Sequence, residues 1–516
     1  MKETGTRKWW ALVALTLAVL AVGLDSTVLS VALPTLAVAL HATESDLQWF
    51  TSGYLLVLAA AMLPAGLLGD RYGRKKVMVV SLAVFAIGSA ACAYAPTASA
   101  FTIARMVLGL AGAGVVVMAL SAVAVLFNEE ERPRALGIWA AANFLAMPIG
   151  PILGGWLLSN YWWGWVFLMN LPVALVGLIA AIVLLPESRA PVRPGLDPVG
   201  VVASIAGLVA VNYGMIKAGQ NGWGDTSALV PIIGGVVLVI GFFLWEYVLG
   251  RRPGGQPMID LSLFRSASFT WGVILLAILI LSMIGVLFTM PQFFQGVMGT
   301  DAMGAGVRLL PLIGGLVVGA VSAERVARFA GAKITVALGF ALVMAGMLIG
   351  AQTSVDSGDG FIAAWMIVVG LGIGVTLATA ATAAISELSE ERSGVGSAVM
   401  QALQKAGGPL GAATLGSVLS TTYVSQLHLA GLPAAAAKVV QGSLFGGIAV
   451  ANRLHSAVLL SEVRSAFVTG MDVALVGGAG IAVGGLILAL IFLPQRSRAQ
   501  KATSADRPKA AMPAGT

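Results

Sequence analysis

Gly66-Leu67-Leu68-Gly69-Asp70-Arg71-Tyr72-Gly73-Arg74-Lys75-Lys76 interrupts two long apolar runs. Residues 48–69 before it and 77–95 after it are each apolar enough to cross a bilayer, which takes about 20 residues per helix. A span, a short charged turn and a second span form a hairpin pinned to one membrane face. Arg71, Arg74, Lys75 and Lys76 crowd the turn beside a single carboxylate, Asp70. Such an excess of cations suits the cytoplasmic side. The glycines let the two helices approach. Asp70, near a helix end, has backbone N–H groups or a neighbouring arginine to bond.

Composition agrees. Of 516 residues, 58% are hydrophobic and 10% charged, against about 25% charged in soluble domains, and the mean hydropathy is +0.93. The first apolar run is too long for a secretory signal and lacks a small-residue cleavage site. The net charge of +7 sits in short loops between spans, which reads as membrane orientation rather than a nucleic-acid surface. Cys92 is the single cysteine, so neither an internal disulfide nor a cysteine metal cluster forms; it lies in an apolar span and reads as packing. No cofactor is expected. No P-loop pattern occurs, so ATP does not drive the protein directly. With no catalytic constellation, an enzyme is not expected.

Fourteen spans are counted: 9–33, 48–69, 77–95, 100–126, 135–158, 165–185, 198–217, 228–249, 268–290, 304–322, 334–353, 361–385, 397–422 and 467–493. With the N-terminus inside, only Arg105, Lys217, Arg308, Lys405, Lys438, Arg453 and Arg464 among the cations fall in spans or external loops. Both termini are therefore expected in the cytoplasm, as an even span count requires. Pro186–Asp197 is a Pro- and charge-rich linker after span 6, and Arg251–Phe264 is a second break after span 8. The expected domains are a six-helix half (1–190), two linker helices (191–265), a second six-helix half (266–495) with an external segment at 425–466, and a disordered tail (496–516). Glu324–Lys333 after span 10 looks like a degraded copy of the first charged turn.

The pattern G-x-L-x-D-R-x-G-R-[KR], carried by Gly66, Gly69, Asp70, Arg71, Gly73 and Arg74, resembles the signature loop between helices 2 and 3 of the major facilitator superfamily. That resemblance implies an all-α integral membrane fold of two six-helix halves, here with two linker helices between them.

Asp25 lies inside span 1, in Leu24-Asp-Ser-Thr-Val-Leu-Ser-Val-Ala-Leu-Pro34, about 6 Å from the midplane at ~1.5 Å per residue. An ionised carboxylate there is costly unless a cation or water offsets its desolvation, and such a group can exchange a proton between two water phases. Arg105, at a matching depth in span 4, is the expected partner. The pair reads either as proton coupling or as a static bridge. The pattern R-x-x-x-G-x-x-G-x-G, from Arg105 to Gly114, resembles the superfamily's span-4 motif, whose arginine is tied to proton coupling.

Span 5 carries Pro148-Ile-Gly-Pro-Ile-Leu-Gly-Gly155. It resembles the antiporter motif G-x-x-x-G-P-x-x-G-G, with Ala146 at the first glycine and Pro148 extra. Pro148, Gly150, Pro151, Gly154 and Gly155 form either a flexing contact or a fixed kink. With fourteen spans and the span-1 stretch at Asp25, the chain resembles the EmrB/QacA-like drug:proton antiporters. This implies proton-driven export of small drug-like, apolar, monocationic or zwitterionic compounds by a monomer in the inner (plasma) membrane. An exporter dedicated to one compound is the near alternative, and a membrane enzyme or receptor the distant one.

Phe144, Met147, Phe288, Met290, Phe293 and Met400 are candidates for an adaptable apolar cavity. Span 13 adds Gln401, Gln404 and Lys405, where some dication exporters carry carboxylates. Lys405 is expected to repel dications, and it reads as pairing with a carboxylate, binding an anionic group of a substrate, or snorkelling. Asp472 and Arg308 near external span ends, and Glu246 and Glu387 near cytoplasmic ends, are expected to be solvated. His41, His428 and His455 fall in external segments, so no histidine relay crosses the membrane. Trp162, Trp163 and Trp165 read as an interfacial belt.

Overall fold

The computed structural model describes residues 5–127, 131–188, 197–252, 255, 257–259, 261–385, 390–429 and 431–495. The expected tail 496–516 and Glu387 lie outside the described residues, as does most of the first linker. The chain opens with α1 (Gly5–Ala39), α2 (Glu44–Tyr72), α3 (Arg74–Ala93), α4 (Ala98–Leu126) and α5 (Arg132–Asn160). The short α6 (Trp165–Leu168) and α7 (Asn170–Leu184) abut at Met169. A hairpin of α8 (Pro198–Asn221) and α9 (Thr226–Arg251) follows. The rest comprises α10 (Ala267–Gln292), α11 (Ala302–Arg308), α12 (Leu310–Gly350), α13 (Asp359–Ile385), α14 (Glu390–Ser425), α15 (Ala434–Gly442), α16 (Leu444–Arg453) and α17 (Ala457–Phe492).

Among the described residues ten helices are long and apolar enough to cross a membrane, eleven if the bent α2 is one span. Two places explain why apolar runs and helices do not correspond one to one. Gly331, at φ 79°, breaks the 41-residue α12 where the sequence reading placed a charged loop. Residues 425–466, read as an external segment, form α15, α16 and the first turns of α17. Asp472 therefore lies four turns inside α17 rather than at a solvated end, and its Oδ1 is buried without a hydrogen-bond partner.

The charged turn forms because Gly73 alone tolerates φ 116°, so α2 ends and α3 begins within one residue. Arg74 reaches back one turn, and its Nε and Nη2 donate to Asp70 Oδ1 at 3.0 and 2.8 Å. The turn is docked on the end of α7: Arg74 N donates to Ser188 O at 3.0 Å and Lys75 Nζ to Ile182 O at 2.6 Å. The second turn has the same parts. Arg328 Nη2 donates to Glu324 Oε1 at 2.5 Å, again one helical turn apart, near the positive-φ glycine 331.

Two buried cores organise the molecule, one from the α1–α7 side and one from the α10–α17 side. Phe288 and Ala402 cross into the first and Val31 into the second, so the halves interlock. Small residues set the close approaches, as membrane helices need where lipid supplies no hydrophobic drive between them. A Cβ at Gly109 would sit 2.4 Å from Tyr54 O, which presses α4 onto α2. One at Gly407 would sit 2.2 Å from Ala277 O, joining α14 to α10. The hairpin α8–α9 hangs on α2 and α14 by a polar seam. Asn212 Nδ2 donates to Ser52 Oγ at 3.1 Å, and Ser417 Oγ to Met215 O at 2.5 Å.

Glu246 corrects another expectation. It is 1% exposed and accepts from Ile259 N at 3.0 Å, because the segment after α9 folds back over it. Arg308 is half-exposed and paired with Asp359 at 2.8 Å. The three histidines are exposed, and Trp162 and Trp165 face outward at 44% and 48% exposure.

Candidate functional site

Asp25 stands in the middle of α1 and is 1% exposed. Arg105 of α4, also 1% exposed, places Nη1 2.5 Å from Asp25 Oδ2. The sequence pairing is therefore realised, in a site sealed from both cavity and lipid. Three partners hold the arginine. Its Nε donates to Phe50 O at 3.3 Å, its guanidinium lies 4.1 Å from the Tyr54 ring centroid, and Asp25 takes Nη1. Tyr54 is fixed in turn by donating to Val22 O at 3.3 Å.

The sequence reading missed Asn170. Its Nδ2 donates to Asp25 Oδ1 at 3.0 Å and lies 3.4 Å from Ser89 Oγ. Asn170 is the first residue of α7, and the break at Met169 aims its amide into the site. A buried asparagine opening a broken span was the available signal. Both carboxylate oxygens of Asp25 are thus met by a donor, one charged and one neutral. Replacing either donor changes the balance between the ionised and the protonated carboxyl.

The antiporter-like segment of α5 packs on the same stretch of α1. Thr27, two residues past Asp25, donates to Ala146 O at 3.0 Å. A Cβ on Gly150 would lie 2.0 Å from Thr27 Oγ1, and one on Gly154 3.1 Å from Val28 Cγ1. The other side of α5 meets the second half. A Cβ at Gly155 would be 2.7 Å from Ala302 O, and one at Gly306 2.5 Å from Pro151 O. The helix that touches the Asp25 segment therefore also forms the contact between halves. The side chains of Phe144, Met147, Pro148 and Lys405 lie outside the described residues.

Between the halves is a cavity of about 160 Å³. Ser26, Thr27, Ser30, Thr51 and Pro151 line it from the first half, and Met283, Phe288, Leu316 and Gln404 from the second. No charged side chain lines it among the described residues. Of the expected lining residues, Phe288 and Gln404 are there. Met290, Phe293 and Met400 are buried in the second core instead, and Gln401 is half-buried outside the lining set. Met400 and Gln401 share the helix face of Gln404 and Gly408 but lie about one turn nearer the start of α14, outside the stretch that lines the cavity. Gly66 and Gly69 stay in the α2–α4 contact, with a Cβ on Gly69 2.4 Å from Met118 Sδ. Arg71 lies over the Tyr72 ring at 5.8 Å.

Two interlocked helical halves around an apolar cavity, with a buried acid–base pair beside it, are the parts of a membrane transporter. The chain belongs to the Major Facilitator Superfamily, whose profile matches residues 15–412. It is 33% identical over 94% of its length to the tetracenomycin C resistance and export protein of Streptomyces glaucescens, covering 91% of that protein. It is 32% identical over 91% of its length to the multidrug efflux pump LfrA of Mycolicibacterium smegmatis, covering 93% of it. The fold matches the crystal structure of a bacterial homolog of the human lysosomal transporter Spinster, inward-facing and occupied. The TM-score is 0.68 at 14% identity, over 96% of this chain and 98% of that one.

Proposed function

We propose that the protein is a proton-coupled efflux antiporter of the fourteen-span EmrB/QacA-like type, exporting apolar, monocationic or zwitterionic drug-like compounds from the cytoplasm. The observation that carries the reading is the buried Asp25–Arg105 pair, one residue from a cavity that Ser26 and Thr27 line. Similarity to proteins named for multidrug and antibiotic export supports the direction of transport. The apolar lining favours apolar substrates. Drug sites occupy about 300–1000 Å³, so a drug-sized guest requires the halves to part further than they do here.

The span count rests on three features beyond the eleven apolar helices: the division of α12 at Gly331, the 29-residue α5 and the 36-residue α14. In this reading the Gly73 turn and both termini face the cytoplasm of a cell whose inner (plasma) membrane holds the protein as a monomer. Asp25 takes a proton from the outer phase and gives it to the inner one, while the substrate travels the other way. Arg105 approaches in one conformation and withdraws in the other, so protonation and shape are linked. A dedicated exporter of one compound is the second reading, favoured by the similarity to an exporter of a single antibiotic.

Everted vesicles energised by respiration test the proposal. Addition of a cationic dye should release protons from the lumen, and the protein should accumulate dye against a gradient. Absence of dye-induced proton release with every member of a panel of apolar cations and zwitterions would overturn it. Response to one member alone would favour the dedicated exporter.

A further inference from the structure

A second polar knot lies between the halves, at the end of the bundle opposite the Gly73 turn, and the mechanism above does not use it. Glu44 opens α2 and is 5% exposed, despite carrying a carboxyl group. Its Oε1 accepts from Gln292 Nε2 of α10 at 3.3 Å, so the contact runs from the first half to the second. Gln48, one turn along α2 and 1% exposed, packs against Gly416 of α14, where a Cβ would meet its Nε2 at 2.9 Å. The Oε1 atoms of Gln48 and Gln292 are both buried with no hydrogen-bond partner.

The charges around Glu44 do not neutralise it. Among the described residues no Lys, Arg or His lies within salt-bridge distance of it. From α10 it is faced by Gln292. From α14 it interacts with Tyr423, whose hydroxyl donates to Val440 O at 2.8 Å. On α17, Glu462 accepts from His428 N, and Arg464 Nε donates to Gly296 O at 3.1 Å. On α2 itself Asp46 is turned away and accepts from Thr43 N at 2.9 Å, and His41 in the preceding turn is exposed. A buried carboxylate without a cation is costly, and two amide oxygens beside it lack a donor, each omission costing about 1–3 kcal/mol. One proton on Glu44 removes the charge and adds an O–H donor to a knot in which two amide oxygens lack one.

We propose that Glu44 is a second proton-binding site, a gate carboxyl that holds its proton while the halves are closed at this end and loses it to water when they part. The closed form then binds one proton more than the open form, so acid in the phase at this end favours closure and alkali favours opening. This rests on the alternating-access reading above. The measurement below uses no substrate, so its failure and the failure of drug export are distinguishable.

Spin labels are placed at cysteines replacing Asn160 and Thr300, which flank the contact between Ser159 and Asp301 at this end. Cys92, buried, is left in place. Asp25→Asn removes the coupling carboxyl from the background, and Glu246 and Asp472, common to all the variants, cancel when D25N is compared with D25N/E44Q. The label separation is followed by electron paramagnetic resonance from acid to alkaline pH in lipid nanodiscs. D25N should lengthen through one midpoint; D25N/E44Q should stay short throughout, since glutamine is a permanent neutral donor; D25N/E44D should keep the transition at a shifted midpoint. Infrared difference spectra of D25N should lose a protonated-carboxyl C=O band across the same midpoint, and D25N/E44Q should lack it. A transition and band surviving E44Q, or their absence from D25N, would overturn the proposal.

Discussion

Thr27 and Gly150 meet at a point where no methyl group fits. A Cβ on Gly150 would stand 2.0 Å from Thr27 Oγ1, 2.9 Å from Thr27 Cβ and 3.2 Å from Val28 N. Thr27 is also two residues from Asp25 and lines the cavity, while the far side of α5 packs on the second half. Any rearrangement at Asp25 that moves α1 is therefore passed to α5 through a contact with no slack.

Gly150→Ala should push α5 from α1, and overpacking of this kind costs about 1–3 kcal/mol. Drug export should fall by roughly five- to 150-fold, the equivalent of that cost. Thr27→Ala in the same chain removes the closest atom, Oγ1, but not the Cβ, so it should restore export only in part. Resistance at matched expression measures all three. Full activity of G150A would mean that α5 is not held by this contact.

Asp25→Asn keeps the shape of the side chain and one oxygen that accepts from Asn170 Nδ2, but removes the titrating group. Dye-induced proton release from everted vesicles should vanish, while equilibrium dye binding persists. Normal proton release by the mutant would remove Asp25 as the coupling site.

The two donors on Asp25 differ in strength, which orders their mutants. Arg105 brings a full positive charge as well as a hydrogen bond to Asp25, whereas Asn170 brings a neutral hydrogen bond. Both donors favour the ionised carboxylate, so protonation persists to higher pH when either is gone. The pH midpoint of dye binding should therefore rise in Asn170→Ala and rise further in Arg105→Ala, with Arg105→Lys between wild type and Arg105→Ala. Titrated tryptophan quenching reads the midpoints. Equal midpoints in all variants would show that neither donor is electrically coupled to the site.

What could be read in the chain was whatever a membrane makes expensive. A charged turn between two spans, a carboxylate and an arginine in apolar runs, and glycines at packing spacing each stand out because lipid tolerates none of them without a partner. Asp25, Arg105 and Gly73 stood out for that reason, and the structure brings the first two into contact. Asn170 was not, because an uncharged amide costs little enough to hide in a span. Glu44 was missed because it lies just before the apolar run and looks like a helix-capping acid; its burial comes from tertiary packing, in which Gln292 takes part. Glu246 failed for the related reason that a segment distant in sequence covers it. Cavity residues were half legible: Phe and Met look alike whether they face the substrate path, the core or lipid, and only helix rotation separates Phe288 from Met290.

That rotation gives a pair of mutants with opposite signatures. Phe288 lines the cavity and packs into the first core, whereas Met290, two residues on, is fully buried in the second core away from the cavity. Truncating a buried Met or Phe costs about 2–5 kcal/mol of stability in either case, so stability alone does not separate them. Substrate rank does. Phe288→Ala should enlarge the cavity and change the order of resistance across a panel of dyes of increasing size, with bulkier compounds gaining relative to small ones. Met290→Ala should lower the unfolding temperature and the amount of protein in the membrane while leaving that order as it is in the wild type. Resistance profiles normalised to membrane expression make the comparison. An unchanged order in F288A would place the substrate path elsewhere, and a changed order in M290A would show that α10 turns about its axis during the cycle and presents Met290 to the cavity.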